Sequence, residues 1–291
     1  MRTAKNVAKK IPREARKQEK QPGLQYKMKP SPIALDPNYK SSDKLKGKVA
    51  IVTGGDSGIG QAVALLFAKE GADIVIPYLK EHHDAKNTQK AIEVMGRACM
   101  LIAGDLGKER VCQKIAKKAV KAFGQIDILI NNAAEQHPTK DFEKITEKQL
   151  KHTFASNIFS YFYMIKAVLP HLREGSVIIN TSSVTCYKGS DHLMDYAATK
   201  GGIVGLTRSL SNALIKKGIR VNGVAPGPVW TPLIVASFSK EHIKKFGKDV
   251  PMGRPAQPAE IAPCYLFLAC KDSSYMSGQM LHPNGGVVVN G

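Results

Sequence analysis

The sequence predicts a three-layer, doubly wound parallel α/β sheet, and three observations predict it. Seven short, β-branched apolar runs recur between residues 49 and 283, helix-length stretches separate them, and the first run empties directly into a glycine-rich turn. At 291 residues and 43% hydrophobic content the chain can bury one full core, so a single domain over 45–291 is expected behind a basic N-terminal arm, 1–44.

The runs are VAIVT (49–53), ADIVIPY (72–78), CMLIAG (99–104), IDILIN (126–131), SVIINTS (176–182) and IRVNGVA (219–225), with QMLHP (279–283) as a last strand. They are nearly continuously apolar, as strands covered on both faces must be. Helices are expected over 59–70, 82–96, 108–123, 143–173 with a break near Ser156, 195–217 and 258–270. A doubly wound sheet binds its ligand at the carboxyl ends of its strands, so those ends are where chemistry should lie.

The arm carries thirteen Lys/Arg against four Asp/Glu in residues 1–46, close to half of the net charge of +19. Its QPG, KPSP and DPN segments read as a disordered start followed by an extended, proline-rich stretch. Such charge favours polyanions, but no aromatic residue interleaves residues 1–20, so a solubilising tail is expected over a nucleic-acid arm. No apolar run approaches the roughly 20 residues of a membrane span, and the start lacks a secretory h-region. Five cysteines without C-x-x-C spacing or a matching histidine set exclude a zinc site of the usual pattern and point to a reducing, cytoplasmic compartment.

TGGDSGIG (53–60) joins the first strand to the first helix. Glycines there let the backbone turn sharply and approach a pyrophosphate, whose charge the helix N-terminus favours. The spacing Gly54-x-x-x-Gly58-x-Gly60 is not G-x-G-x-x-G, and no Lys-Ser/Thr follows, which disfavours a P-loop. Asp105, ending the third strand, is a second cofactor candidate or an N-cap for the next helix. Tyr78 stands where an acid would select NAD; the neighbouring Lys80 would meet a 2′-phosphate and tilts the expectation slightly to NADP, unless it is merely a solvated lysine.

Tyr196 and Lys200, in DYAATKG, stack one turn apart on a helix. Reduction of a carbonyl by hydride leaves an alkoxide that needs a proton. An ammonium one turn away is expected to lower the phenol below its usual value of about 10. Upstream, TSSV (181–184) ends a strand, and Ser183 can hydrogen-bond the substrate oxygen.

TGGDSGIG, NNAA (131–134), Asn157 in SNIFS, Ser183, Tyr196-x-x-x-Lys200 and PGPVWTP (226–232) together resemble, in order and spacing, the short-chain dehydrogenase/reductases over residues 45–290. The resemblance implies a Rossmann-type sheet, an NAD(P)-dependent oxidoreductase and a homotetramer, with the arm laid across neighbouring subunits. It implies Tyr196 as acid/base, Lys200 also as a ribose ligand, Ser183 as carbonyl holder and Asn157 as part of a water-linked relay. Gly54, Ser57, Gly58 and Ile59 match the pyrophosphate turn; Asp105 and Leu106 the adenine contact; Asn132 and Ala133 the adenosine-side wall; Pro226, Gly227, Val229 and Thr231 the carboxamide segment. The chain departs from the family at Ala134 and Asn284, where NNAG and DGG are usual.

The QPG…MKPSP arm, GGDSGIG, NNAAEQHP, TSSVT.YKGS and GPVWTPL together resemble more closely still a bacterial subgroup often named after glucose and ribitol dehydrogenases or general stress proteins. Residues 228–250 fall where the family places a substrate lid, and Glu135, Gln136 and His137 are open to either polar substrate contacts or a plain loop role. A catalytically silent dinucleotide sensor remains the rival within the fold.

Overall fold

Seven parallel strands form one sheet in the order β3-β2-β1-β4-β5-β6-β7. They are β1 (Val49–Val52), β2 (Asp73–Tyr78), β3 (Cys99–Ala103), β4 (Ile128–Asn131), β5 (Val177–Thr181), β6 (Arg220–Val224) and β7 (Met280–Leu281). The structure is a computed structural model that describes residues 16–289. The disordered basic start expected for the arm falls largely on residues 1–15, outside the described residues.

The alternation of side chains along each strand feeds two cores. Ala50, Val52, Ile74, Ile76, Ile128 and Ile130 face one layer; Ile51, Val75, Leu129 and Ile178 face the other. The first layer is closed by α1 (Gly58–Lys69), α2 (His82–Val94) and α10 (Pro258–Ala269). The second is closed by α3 (Glu109–Phe123), α5 (Ser160–Val168) and α7 (Met194–Leu214). α3 shows why: Cys112, Ile115, Ala116 and Ala119 recur at helical spacing and are its buried face, and Gly124, at φ 76°, ends it in the left-handed conformation.

The helix expected over 143–173 is divided. α4 (Glu147–Phe154) passes into a π-helical turn, Ala155–Phe159, and then into α5, which tightens to a 3-10 turn at Leu169–His171 around Pro170. Short helices α6 (Thr185–Lys188), α8 (Pro232–Ser237) and α9 (Lys240–Lys245) fill the segments after β5 and β6. The last two lie within 228–250, the segment expected as a lid.

The described residues of the arm run along their own domain: Gln18 N donates to Val235 O (2.7 Å), Trp230 Nε1 to Pro30 O (3.0 Å) and Ala259 N to Ile33 O (2.9 Å). Leu45, buried in the first core, donates its N–H to Glu70 O (3.0 Å) just before β1.

Candidate active site

The sheet reverses direction between β1, which pairs with β2 on one side, and β4 on the other. A cleft of about 820 Å³ opens there at the carboxyl ends of the strands, the place where such a crevice must form because successive connections leave on opposite faces. The glycine-rich turn makes its floor. Gly54 and Gly58 have φ of 64° and 55°, and a Cβ on Gly60 would lie 2.1 Å from Gly54 O. Only glycine fits that crossing.

Asn132 closes the turn from β4. Its N–H and that of Ala133 donate to Thr53 Oγ1 (2.8 and 3.1 Å), and Asn132 Nδ2 donates to Thr53 O (3.0 Å). Gly54, Ser57, Gly58, Ile59, Asn132 and Ala133 all line the cleft. α1 begins at Gly58, whose own N–H donates to Gln25 Oε1 (2.7 Å); the first-turn amides that follow are the ones an anion would meet. The cradle therefore fits a dinucleotide pyrophosphate, on backbone grounds alone.

At one end of the cleft lie Tyr78, Asp105 and Leu106. Tyr78 shares a 2.8 Å hydrogen bond with His82 Nδ1. Asp105 is not the helix cap: α3 starts at Glu109, and the carboxylate accepts Gly107 N–H (2.9 Å), shaping the turn instead. Lys80 is exposed and its side chain is not part of the cleft wall, whereas the buried Asp56 and Glu81 are. Burial pushes the Asp56 carboxyl up to about 7, with the nearby Glu81 and Asp84 adding to it against its backbone and Ser57 hydrogen bonds.

At the other end, Thr181–Val184 brings Ser183 into line with the face of α7 that carries Tyr196 and Lys200. Ser183 Oγ accepts Thr185 N–H (3.2 Å) and the Thr185 hydroxyl (3.0 Å), which leaves its own hydrogen for the Tyr196 phenol beside it. Lys200 is fully buried: Nζ donates to Thr181 O (2.9 Å) and lies 5.4 Å from the centre of the Tyr196 ring and 5.6 Å from that of Tyr161.

The expected lowering of the phenol does not occur. Burial pushes Tyr196 up to about 12, opposed by the Ser183 hydroxyl, while burial brings Lys200 down to about 7. The amine lies 5.4 Å from the ring centre, and burial penalises the charged form of both groups.

Asn157 occupies the π-helical turn and is completely buried. Its Oδ1 accepts Glu135 N–H (2.8 Å), and its Nδ2 donates to Glu135 O (2.8 Å) and Thr199 Oγ1 (3.3 Å). The carboxamide thus clamps the loop after β4 to α7. Pro226, Gly227, Val229 and Thr231 line the same wall; Gly227 packs so closely on Asn284 that a Cβ would lie 2.7 Å from its backbone.

Residues 54–288 match the family model described as "Enoyl-(Acyl carrier protein) reductase". The chain belongs to the short-chain dehydrogenase/reductase family. It is an oxidoreductase of that family, with a glucose and ribitol dehydrogenase from Daucus carota 54% identical over 282 residues, 94% of this chain and 97% of the relative. Among solved structures, a Burkholderia cenocepacia short-chain dehydrogenase in complex with NADP superposes at TM-score 0.79 (30% identity, 84% of this chain and 98% of that one). One from Mycobacterium paratuberculosis, bound to NAD, does so at 0.76 (27% identity, 84% and 98%).

Within this short-chain dehydrogenase/reductase, several supporting residues had no signal in the sequence. Asp195 is buried beside Tyr196 and accepts Tyr196 N–H (2.8 Å), the Thr153 hydroxyl (2.8 Å) and Gln149 Nε2 (3.1 Å), fixing the start of α7. Glu135, His137 and His152 bring three metal-capable atoms within 4.8 Å of one another, a grouping that the cysteine-based reading of the sequence does not contain. His152 Nε2 lies 2.8 Å from the Glu135 carboxylate. Burial pushes that carboxyl up, but His137 and His152 outweigh it and hold the group below its ordinary value. Glu135 and Gln136 line the cleft; His137 and His152 do not.

Proposed function

We propose that the chain interconverts a carbonyl compound, an aldehyde, ketone or sugar, and its alcohol, with NAD(P) as hydride carrier and Tyr196 as acid/base. One observation carries this reading: Ser183, Tyr196 and Lys200, from β5's end and α7, converge on the wall that the glycine-rich turn shares. A bound dihydronicotinamide would supply the hydride. Ser183 turns its O–H from the Tyr196 phenol to the carbonyl oxygen, and Tyr196 delivers the proton as alkoxide character develops. With its phenol pushed up to about 12, Tyr196 is protonated at neutral pH, the form reduction needs. Lys200, brought down to about 7, can hand a proton on near neutrality and restore the phenol. Asn157 holds the surrounding loop, and Lys200 also faces the ribose.

The cofactor sites proposed are Gly54, Ser57, Gly58 and Ile59 for pyrophosphate, Tyr78, Asp105, Leu106, Asn132 and Ala133 for the adenosine side, and Pro226, Gly227, Val229 and Thr231 for the carboxamide. The slight preference for NADP rests on Tyr78, not an acid, at the end of β2; the buried Asp56, whose carboxyl burial pushes up to about 7, and Glu81 share that wall, and when ionised they count against a 2′-phosphate. A silent sensor would have no use for Tyr196 and Lys200. A nucleic-acid role is disfavoured because residues 18–33 of the arm spend hydrogen bonds on their own domain.

We further propose a cytoplasmic homotetramer, with an arm (1–44) and a single catalytic domain (45–291). Five free cysteines support a reducing compartment, and no helix among the described residues is long and apolar enough to cross a membrane. Phe159 and Phe162 stand exposed at 45% and 52% at the start of α5, a surface suited to a second copy.

The test is a panel of aldehydes, ketones and polyols assayed with NADPH and NADH. Tyr196→Phe should lower carbonyl reduction on the order of 10³-fold and leave the dinucleotide Kd nearly intact. Unchanged turnover in that variant would remove Tyr196 from the mechanism.

A further inference from the structure

The family model begins at residue 54, so the arm lies outside the residues that it matches. Yet the arm reaches the cleft: Pro22 is part of its wall. The residue before it, Gln21, grips the loop after β4 at one place. Gln21 Nε2 donates to Gln136 O (2.7 Å), and Gln136 N–H donates to Gln21 Oε1 (3.3 Å). One carboxamide thus satisfies both backbone groups of Gln136, as a strand neighbour would.

The side chain of Gln136 is left without such partners. The residue is 3% exposed and lines the cleft, and its Nε2 is buried with no hydrogen-bond partner among the described residues. A buried amide left unpaired costs free energy, and a native site retains one when something else completes it. The adjoining Glu135 is clamped by Asn157, and the arm is pinned further on, where Gly58 N–H donates to Gln25 Oε1 (2.7 Å) and Asp84 accepts Gln25 N–H (2.7 Å). At Gly23 an added Cβ would lie 2.4 Å from Pro232 O, so the arm also seats tightly on the lid. Gln136 is therefore held from both sides with its amide facing an unfilled need.

We propose that Gln136, positioned by Gln21 of the arm, is a specificity-determining residue that hydrogen-bonds a substrate hydroxyl, so that the favoured substrates are hydroxylated carbonyl compounds. A hydroxyl both donates and accepts, so it meets the carboxamide in either orientation of its oxygen and nitrogen. An unsubstituted aldehyde leaves the amide unpaired in a site now closed to water, and this is the situation in which a missing hydroxyl is discriminated against most strongly. The inference rests on the proposed carbonyl reduction and deepens it.

The experiment compares kcat/KM for D-glyceraldehyde and propanal, with saturating dinucleotide, in the full chain. Wild type should favour glyceraldehyde by roughly tenfold or more. Gln136→Leu, which keeps the volume and removes the amide, should bring that ratio close to one. Gln21→Ala should lower it in the same direction, chiefly through KM, because it frees the Gln136 backbone without touching the amide; this second variant decides the matter if Gln136→Leu fails to fold. A purely structural role for Gln21 would change Tm and leave the ratio where it was. A wild-type ratio near one, or a ratio unmoved by both substitutions, overturns the inference while carbonyl reduction itself stands. Absence of turnover with every carbonyl and both dinucleotides overturns the proposed reaction, and this inference with it.

Discussion

The two ends of the cleft bury charge in opposite senses. At the adenosine end, desolvation pushes the Asp56 carboxyl up to about 7; at the catalytic end it brings the Lys200 amine down to about 7. Both groups meet near neutrality because burial penalises whichever form is charged. Their surroundings differ. Lys200 is held by Thr181 O and lies over two aromatic rings, so its position is fixed whatever its charge. Asp56 has two further carboxyls, Glu81 and Asp84, near enough to raise it.

The sharpest way to break this comparison is at the catalytic end. Ser183→Ala should lower carbonyl reduction roughly 100-fold, with dinucleotide affinity unchanged by fluorescence titration; a matching loss of affinity would mean that Ser183 serves the cofactor instead. Next is pH. Because Tyr196 is raised, alcohol oxidation, which needs the phenolate, should climb through the alkaline range, and carbonyl reduction should show no such gain.

Stability follows from the same burial. Lys200 is depressed from 10.5 to about 7, so between those values the unfolded chain binds more protons than the folded one, and stability rises with pH. In Lys200→Met that rise should be missing from Tm measured between pH 7 and pH 10; an identical slope would mean that the amine is not discharged in the folded state.

At the adenosine end the effects are smaller. The NADP-over-NAD preference, read as a ratio of kcat/KM, should weaken as pH climbs through 7 and Asp56 ionises, and Asp56→Asn should abolish that dependence within about tenfold of the wild-type ratio. Asp105→Asn, at a half-exposed carboxylate that shapes a turn at the adenosine end, should alter the NADP-over-NAD ratio by less than about threefold.

The sheet and its order of elements were legible because apolar runs covered on both faces leave no alternation to misread, and helices such as α3 repeat their buried positions at a plain period. The glycine turn was legible for a related reason: the crossing of Gly60 over Gly54 admits no side chain, so the residue type itself reports the geometry. Asp195, Asp56 and Gln136 were not, since a polar residue carries no mark of being buried until the neighbours that bury it are known. The break near Ser156 was visible, but that it is a π-helical turn presenting Asn157 to the loop after β4 depends on Glu135, 22 residues away.

By itself, then, the sequence determined the strand and helix succession and the carboxyl-end location of the cleft, both consequences of local periodicity; Ser183, Tyr196 and Lys200 were candidates by spacing that the ordered resemblance to the family joined into one set. Only the tertiary structure decided the electrostatics and the walls: that the phenol is raised and not lowered, that Lys80 stays outside the cleft while Asp56 and Glu81 enter it, and that the arm folds back on its own domain to hold Gln136. Desolvation and long-range hydrogen bonding depend on which distant segments pack together, and no short window of residues contains that information.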